Sequence, residues 1–206
     1  MNVYDVTYKK LIEPLYGNKR NENNDNELLQ SNILPHAYSI NEHCVKLSHA
    51  YSINERVDMT MHETYSIDPD GCEDADDAFS IFKENGKMFL AIHIADPTEH
   101  INIKSSLWKD MEKRVVTKYP SFSPPIHMIP HEIMAKSSLM VNEYGNIKLA
   151  ITVLSEINTS TYEPMGSIKL LFTKIKVDSE NALSYTKAGS DVENNDTLQY
   201  ALQISK

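Results

Sequence analysis

Asp68-Pro69-Asp70-Gly71-Cys72-Glu73-Asp74-Ala75-Asp76-Asp77 places six acids within ten residues, directly ahead of an apolar run at Ala78, Phe79, Ile81 and Phe82. Carboxylates this close raise one another's pKa, and a folded domain holds them where solvent or a hard cation such as Mg²⁺ neutralises the charge. The run therefore reads as a divalent-metal site, with a solvated acidic loop as the plainer alternative. Pro69 and Gly71 make its first half a turn. Beyond the turn, Asp74 and Asp76 share one side of an extended chain, and Asp77 faces the other side unless the backbone bends. The order of acids is not that of an EF-hand calcium loop, which needs alternating oxygens, a central glycine and a terminal Glu.

Other reactive side chains are less promising. His36, His43, His49 and His62 are spaced by seven, six and thirteen residues, which fits no zinc pattern, and no cysteine pair accompanies them. Cys44 and Cys72 are too few and too far apart for a disulfide framework. Cys72 lies among acids that disfavour its thiolate, so it reads as structural. His93 and His127 also read as structural. Tyr119 beside Pro120 is either an aromatic platform for a base or a half-buried core residue, and Trp108 is expected to serve helix packing.

The elements that would hold the acids follow from periodicity. Strands from Phe79 and over Met88 to Ile94, joined by a turn at Glu84-Asn85-Gly86, form a hairpin with the acidic loop at its start. Leu107, Met111 and Val115 recur at i, i+4 and i+8, predicting an amphipathic helix that opens near Ser105. Prolines 120, 124, 125 and 130 forbid regular structure in the next segment. Residues 147 to 157 and 167 to 177 alternate as long, pairing strands, and Leu198, Ala201 and Leu202 suggest a last helix. Residues 17 to 32 are polar and read as a flexible linker. Next to them, His36-Ala37-Tyr38-Ser39-Ile40-Asn41-Glu42 recurs as His49-Ala50-Tyr51-Ser52-Ile53-Asn54-Glu55, a local duplication too short for a repeat architecture. The expected division is an extension over 1–55 and a folded domain over 56–206.

Several blocks together resemble the catalytic RNB domain of the ribonuclease II and ribonuclease R family. They are Arg56-Val57-Asp58-Met59, Ser66-Ile67-Asp68-Pro69, Asp74-Ala75-Asp76-Asp77-Ala78, Ala91-Ile92-His93-Ile94-Ala95-Asp96, Arg114 with Tyr119-Pro120 and Ile126-His127-Met128-Ile129-Pro130, Ser137-Ser138-Leu139, and Leu183-Ser184-Tyr185 with Ala188. Ser137 stands where the family usually has Cys. The resemblance covers about residues 56 to 205, the first half of such a domain. It implies an α+β fold with a mixed, largely antiparallel sheet and a few helices. The second, helical half, with its phosphate-binding arginine, and the cold-shock and S1 modules are expected to be missing.

The resemblance further implies an Mg²⁺-dependent (or Mn²⁺-dependent) hydrolytic 3′-to-5′ exoribonuclease that releases nucleoside 5′-monophosphates from single-stranded RNA and is weak alone. Asp68 and Asp77 are then the direct metal ligands, Asp74 and Asp76 complete the cluster, and Tyr119 stacks on the terminal nucleotide. The alternative is an inactive RNB-derived scaffold subunit. An RNA-binding module without hydrolysis is disfavoured by a net charge of −9 and by arginine at positions 20, 56 and 114 alone. The basic stretch Lys104, Lys109, Lys113, Arg114 and Lys118 reads as an exposed helix face. A truncated domain is expected to expose apolar surface and so to associate with a partner chain or itself. No stretch approaches the ~18 apolar residues of a membrane span and Met1 to Asn24 is too polar for a signal peptide, so a cytoplasmic place, or one within a larger intracellular or viral assembly, is expected.

Overall fold

Alternation of apolar and polar residues with period two builds the main sheet, and an Asn-Gly turn sets its first register. In the computed structural model, which describes residues 56–72, 74–102 and 104–206, strands β3 (Asp77–Glu84) and β4 (Lys87–Ala95) form the expected hairpin. Asn85 and Gly86 carry φ values of 51° and 77°, the left-handed pair that a two-residue turn matched to the strand twist requires. The linker and the duplicated heptad lie outside the described residues.

β4 continues antiparallel to β5 (Ile147–Ile157), and β5 to β6 (Pro164–Lys176), with a register shift between Leu154 and Glu156. A two-residue strand, β1 (Val57–Asp58), runs parallel to β6 and completes the order β1-β6-β5-β4-β3. A separate parallel pair joins β2 (Ser66–Asp68) to β7 (Ala182–Ser184). The isolated bridge between Tyr65 and Phe79 ties β2 to β3.

Helices α1 (Ser106–Arg114) and α2 (His131–Ser137) connect β4 to β5, while α3 (Tyr185–Asp191) and α4 (Asp196–Ile204) close the chain. Ser105 caps α1 by accepting from the Trp108 amide, as the spacing predicts. The stripe behind that prediction is not a core stripe, because α1 buries none of its residues. Val115 ends the helix at φ 66° and is 68% exposed. Trp108, half-buried, donates from Nε1 to Glu112 Oε1 (2.9 Å) one turn along the same helix.

Directly opposed residues in antiparallel strands share a face, and one face of the sheet is lined by small side chains. Ala78, Ala91 and Ala150, with Ile175, let a second layer of loops come close, and Met59, Ala75, Leu139 and Val177 fill it. Across the same face runs a buried polar row. Ser80 Oγ bonds His93 Nε2 (3.0 Å), His93 Nδ1 bonds Thr152 Oγ1 (2.8 Å), and Thr152 bonds Thr173 (2.6 Å). His93 is therefore structural, and burial first, then the charge of His62, lowers its pKa to about 3.

Candidate metal centre

Two strand ends and a clamped loop bring the acids together. Asp68 is the last residue of β2 and Asp77 the first of β3. The Tyr65–Phe79 bridge holds these strands side by side, its two amide bonds both 2.8 Å. Between them the chain turns at Gly71, φ 79°, with Cys72 N donating to the Pro69 carbonyl (3.1 Å). The backbone is then fixed at Ala75 and Asp76. Ala75 N donates to Ser138 Oγ (3.2 Å), Leu139 N donates to the Ala75 carbonyl (2.8 Å), and Ala95 N donates to the Asp76 carbonyl (2.8 Å).

The carboxylates feel one another. Burial is the main force raising the pKa of Asp76, followed by the charges of Asp74, Asp77 and Asp68. Asp77 is raised by burial and then by Asp68. Burial also raises Asp68, with a further rise from Asp74, partly opposed by the Ser66 hydroxyl and the Cys72 thiol. No lysine or arginine contributes an opposing influence at any of these three groups. The four expected acids thus form one electrostatic cluster of uncompensated negative charge, and the Cys72 thiol inside it is pushed up by burial and by its acidic neighbours.

Electrostatic reach is not yet coordination. Among the described residues no group of three or more His, Cys, Asp or Glu side chains is arranged to hold a metal ion. The donor chemistry nevertheless fits a hard cation: oxygen ligands in excess, partly withdrawn from water and lacking a protein counter-charge. Ser66, on the same side of β2 as Asp68, adds a buried hydroxyl that favours the charged Asp68 carboxylate. Ser66 and Ser138 were not among the residues singled out from the sequence. Their signal was position alone, two residues before Asp68 and inside the Ser137-Ser138-Leu139 block.

Tyr119 stands apart on the proline-rich connection between α1 and α2. It is 76% exposed, which removes the core-tyrosine alternative. Phe122 nearby is fully exposed, and Lys118 and Ile126 pair across the loop.

The model of the RNB domain family matches residues 56–204. The chain belongs to the RNB family. Exoribonuclease 2 of Xenorhabdus bovienii is 43% identical over 80 residues, 38% of this chain and 12% of that protein. The human exosome complex exonuclease RRP44 is 31% identical over 124 residues, 60% of this chain and again 12% of the relative. The chain therefore corresponds to a small part of the curated relatives it matches. The RNB fold itself is that of Mycoplasma genitalium RNase R in complex with ribose methylated single-stranded RNA, at TM-score 0.60, 18% identity and coverage of 79% of this chain and 26% of that one. Yeast Ssd1, a pseudonuclease, is similar at TM-score 0.63 and 20% identity, with 76% of this chain and 19% of that one covered. The α+β class and mixed sheet expected from the sequence are thus established. No helix among the described residues is long and apolar enough to cross a membrane.

Proposed function

We propose that this RNB domain is a metal-dependent hydrolytic 3′-to-5′ exoribonuclease site, releasing nucleoside 5′-monophosphates from single-stranded RNA. The observation that carries the reading is the cluster of Asp68, Asp74, Asp76 and Asp77, in which burial and mutual charge raise the pKa of Asp68, Asp76 and Asp77 with no cation opposing them, in the loop of a chain that belongs to an exoribonuclease family. Asp68 and Asp77, on adjacent strand ends, would hold Mg²⁺ or Mn²⁺ directly. Asp74 and Asp76 would complete the set or orient the terminal ribose. Bound there, the cation would activate water and stabilise the leaving oxygen. Tyr119, exposed on its loop, would stack on a terminal base irrespective of sequence.

Activity of the chain alone is expected to be low. Among the described residues, Arg56 is committed to Asp96 and Glu99, Arg114 donates to the His127 carbonyl, and no lysine or arginine acts on Asp68, Asp76 or Asp77. A site lacking such a donor commonly loses ~10²-fold or more in rate. The rival scaffold reading draws on the absence of an assembled ligating group among the described residues. A 5′-labelled RNA incubated with Mg²⁺ separates the two. The nuclease reading expects slow release of nucleoside 5′-monophosphates from the 3′ end by the wild type and none by Asp76→Asn. Absence of release from wild type with metal bound would favour the scaffold.

A further inference from the structure

The loop carrying the acids is held within itself at Cys72, whose amide donates to the Pro69 carbonyl and whose thiol donates to the Asp74 carbonyl. It is gripped from outside by the turn after α2, and the grip falls at Ala75, the residue between Asp74 and Asp76. Ala75 is fully buried, Ser138 and Leu139 are each 1% exposed, and Ser138 is itself fixed by its amide bond to the Met134 carbonyl (2.7 Å). Ser138 Oγ accepts from the Ala75 amide, and the Leu139 amide donates to the Ala75 carbonyl, so both backbone polar groups of one residue are met by consecutive residues. Asp76 is held on its other side by Ala95 of β4. Asp74 and Asp76 flank this fixed residue directly in sequence.

Resting on the metal-site reading above, we infer that Ser138 is a positioning residue: its hydroxyl clasps Ala75 and thereby sets the spacing of the Asp74 and Asp76 carboxylates for a divalent cation. Without that acceptor the buried Ala75 amide is orphaned, and the Asp74–Ala75 peptide shifts toward water. Removing a group that orients metal ligands typically weakens affinity 10- to 100-fold.

Mn²⁺ titration of the full chain, followed by electron paramagnetic resonance, tests this together with melting curves. Ser138→Ala should weaken Mn²⁺ at least ~10-fold, Ser138→Thr should restore wild-type affinity, and Ser138→Cys, a weaker acceptor of similar size, should fall between. Ser155→Ala removes an equally buried hydroxyl that bonds only the Glu156 carbonyl, and should leave Mn²⁺ affinity unchanged. If Ser138→Ala does not fold, the ranking of the Thr and Cys variants decides. Wild-type affinity in Ser138→Ala, or equal losses in Ser155→Ala, would overturn the clasp alone. A wild type that binds no Mn²⁺ would overturn it together with the metal-site reading.

Discussion

At Asp76 the charge works against the fold until something neutralises it. Burial and three neighbouring carboxylates all raise its pKa, with no counter-influence. Asp76→Asn removes one of these charges at nearly constant shape, so the metal-free variant should melt no lower than wild type while its Mn²⁺ affinity falls at least ~10-fold. Calorimetry with and without Mn²⁺ reads both, and a destabilised variant with intact affinity would contradict the assignment. His93 makes the opposite prediction on pH. Its folded pKa of about 3 lies below the unfolded 6.5, so between those values the unfolded chain binds the extra proton. Stability from this residue is complete above pH 6.5 and is lost as pH falls, by up to ~1.4 kcal/mol per pH unit. Wild type should therefore lose melting temperature between pH 7 and 5 more steeply than His93→Gln. Parallel slopes would remove His93 from the account.

Among the elements, those with a long period were legible and the shortest were not. The β3–β4 hairpin followed from alternation plus Asn85-Gly86, and α1 from Ser105, because each signal is local. β1, β2 and β7 have two or three residues each, too few for any periodicity, and their parallel pairings join segments more than a hundred residues apart. Polar residues that serve the interior were equally hidden. Lys148 is 2% exposed, its Nζ bonded to Asn142 Oδ1 (2.9 Å) and its pKa lowered by burial, although its sequence context reads as a surface position. The acids were visible in the sequence as a cluster, whereas the hydroxyls that arrange them were not, since serine carries no burial signal. Arg56 belongs to this hidden set. It anchors the start of β1 by bonds to Asp96 Oδ2 (2.6 Å) and Glu99 Oε2 (2.9 Å), with Asp96 fully buried. Arg56→Met should cost ~3–5 kcal/mol by stranding that carboxylate, and adding Asp96→Leu should recover part of it. Chemical denaturation of the single and double variants measures the difference. A double variant no better than the single would mean that the pair does not act as a unit.

The described domain presents an uneven sheet. One face is covered by the alanine-lined loop layer, while the other leaves Ile94, Ile147 and Leu170 between 41% and 50% exposed. Apolar side chains grouped on one sheet face favour association, so the isolated chain should self-associate with rising concentration in sedimentation velocity, and Leu170→Lys should reverse the trend. A monomer at every concentration would contradict this. The central claim, however, is that the acidic loop is a divalent-metal centre. Diffraction from crystals soaked in Mn²⁺, collected at the manganese absorption edge, tests it directly. The expected result is an anomalous peak bounded by Asp68, Asp74, Asp76 and Asp77, lost in Asp76→Asn. A peak elsewhere, or none at saturating Mn²⁺, would contradict it.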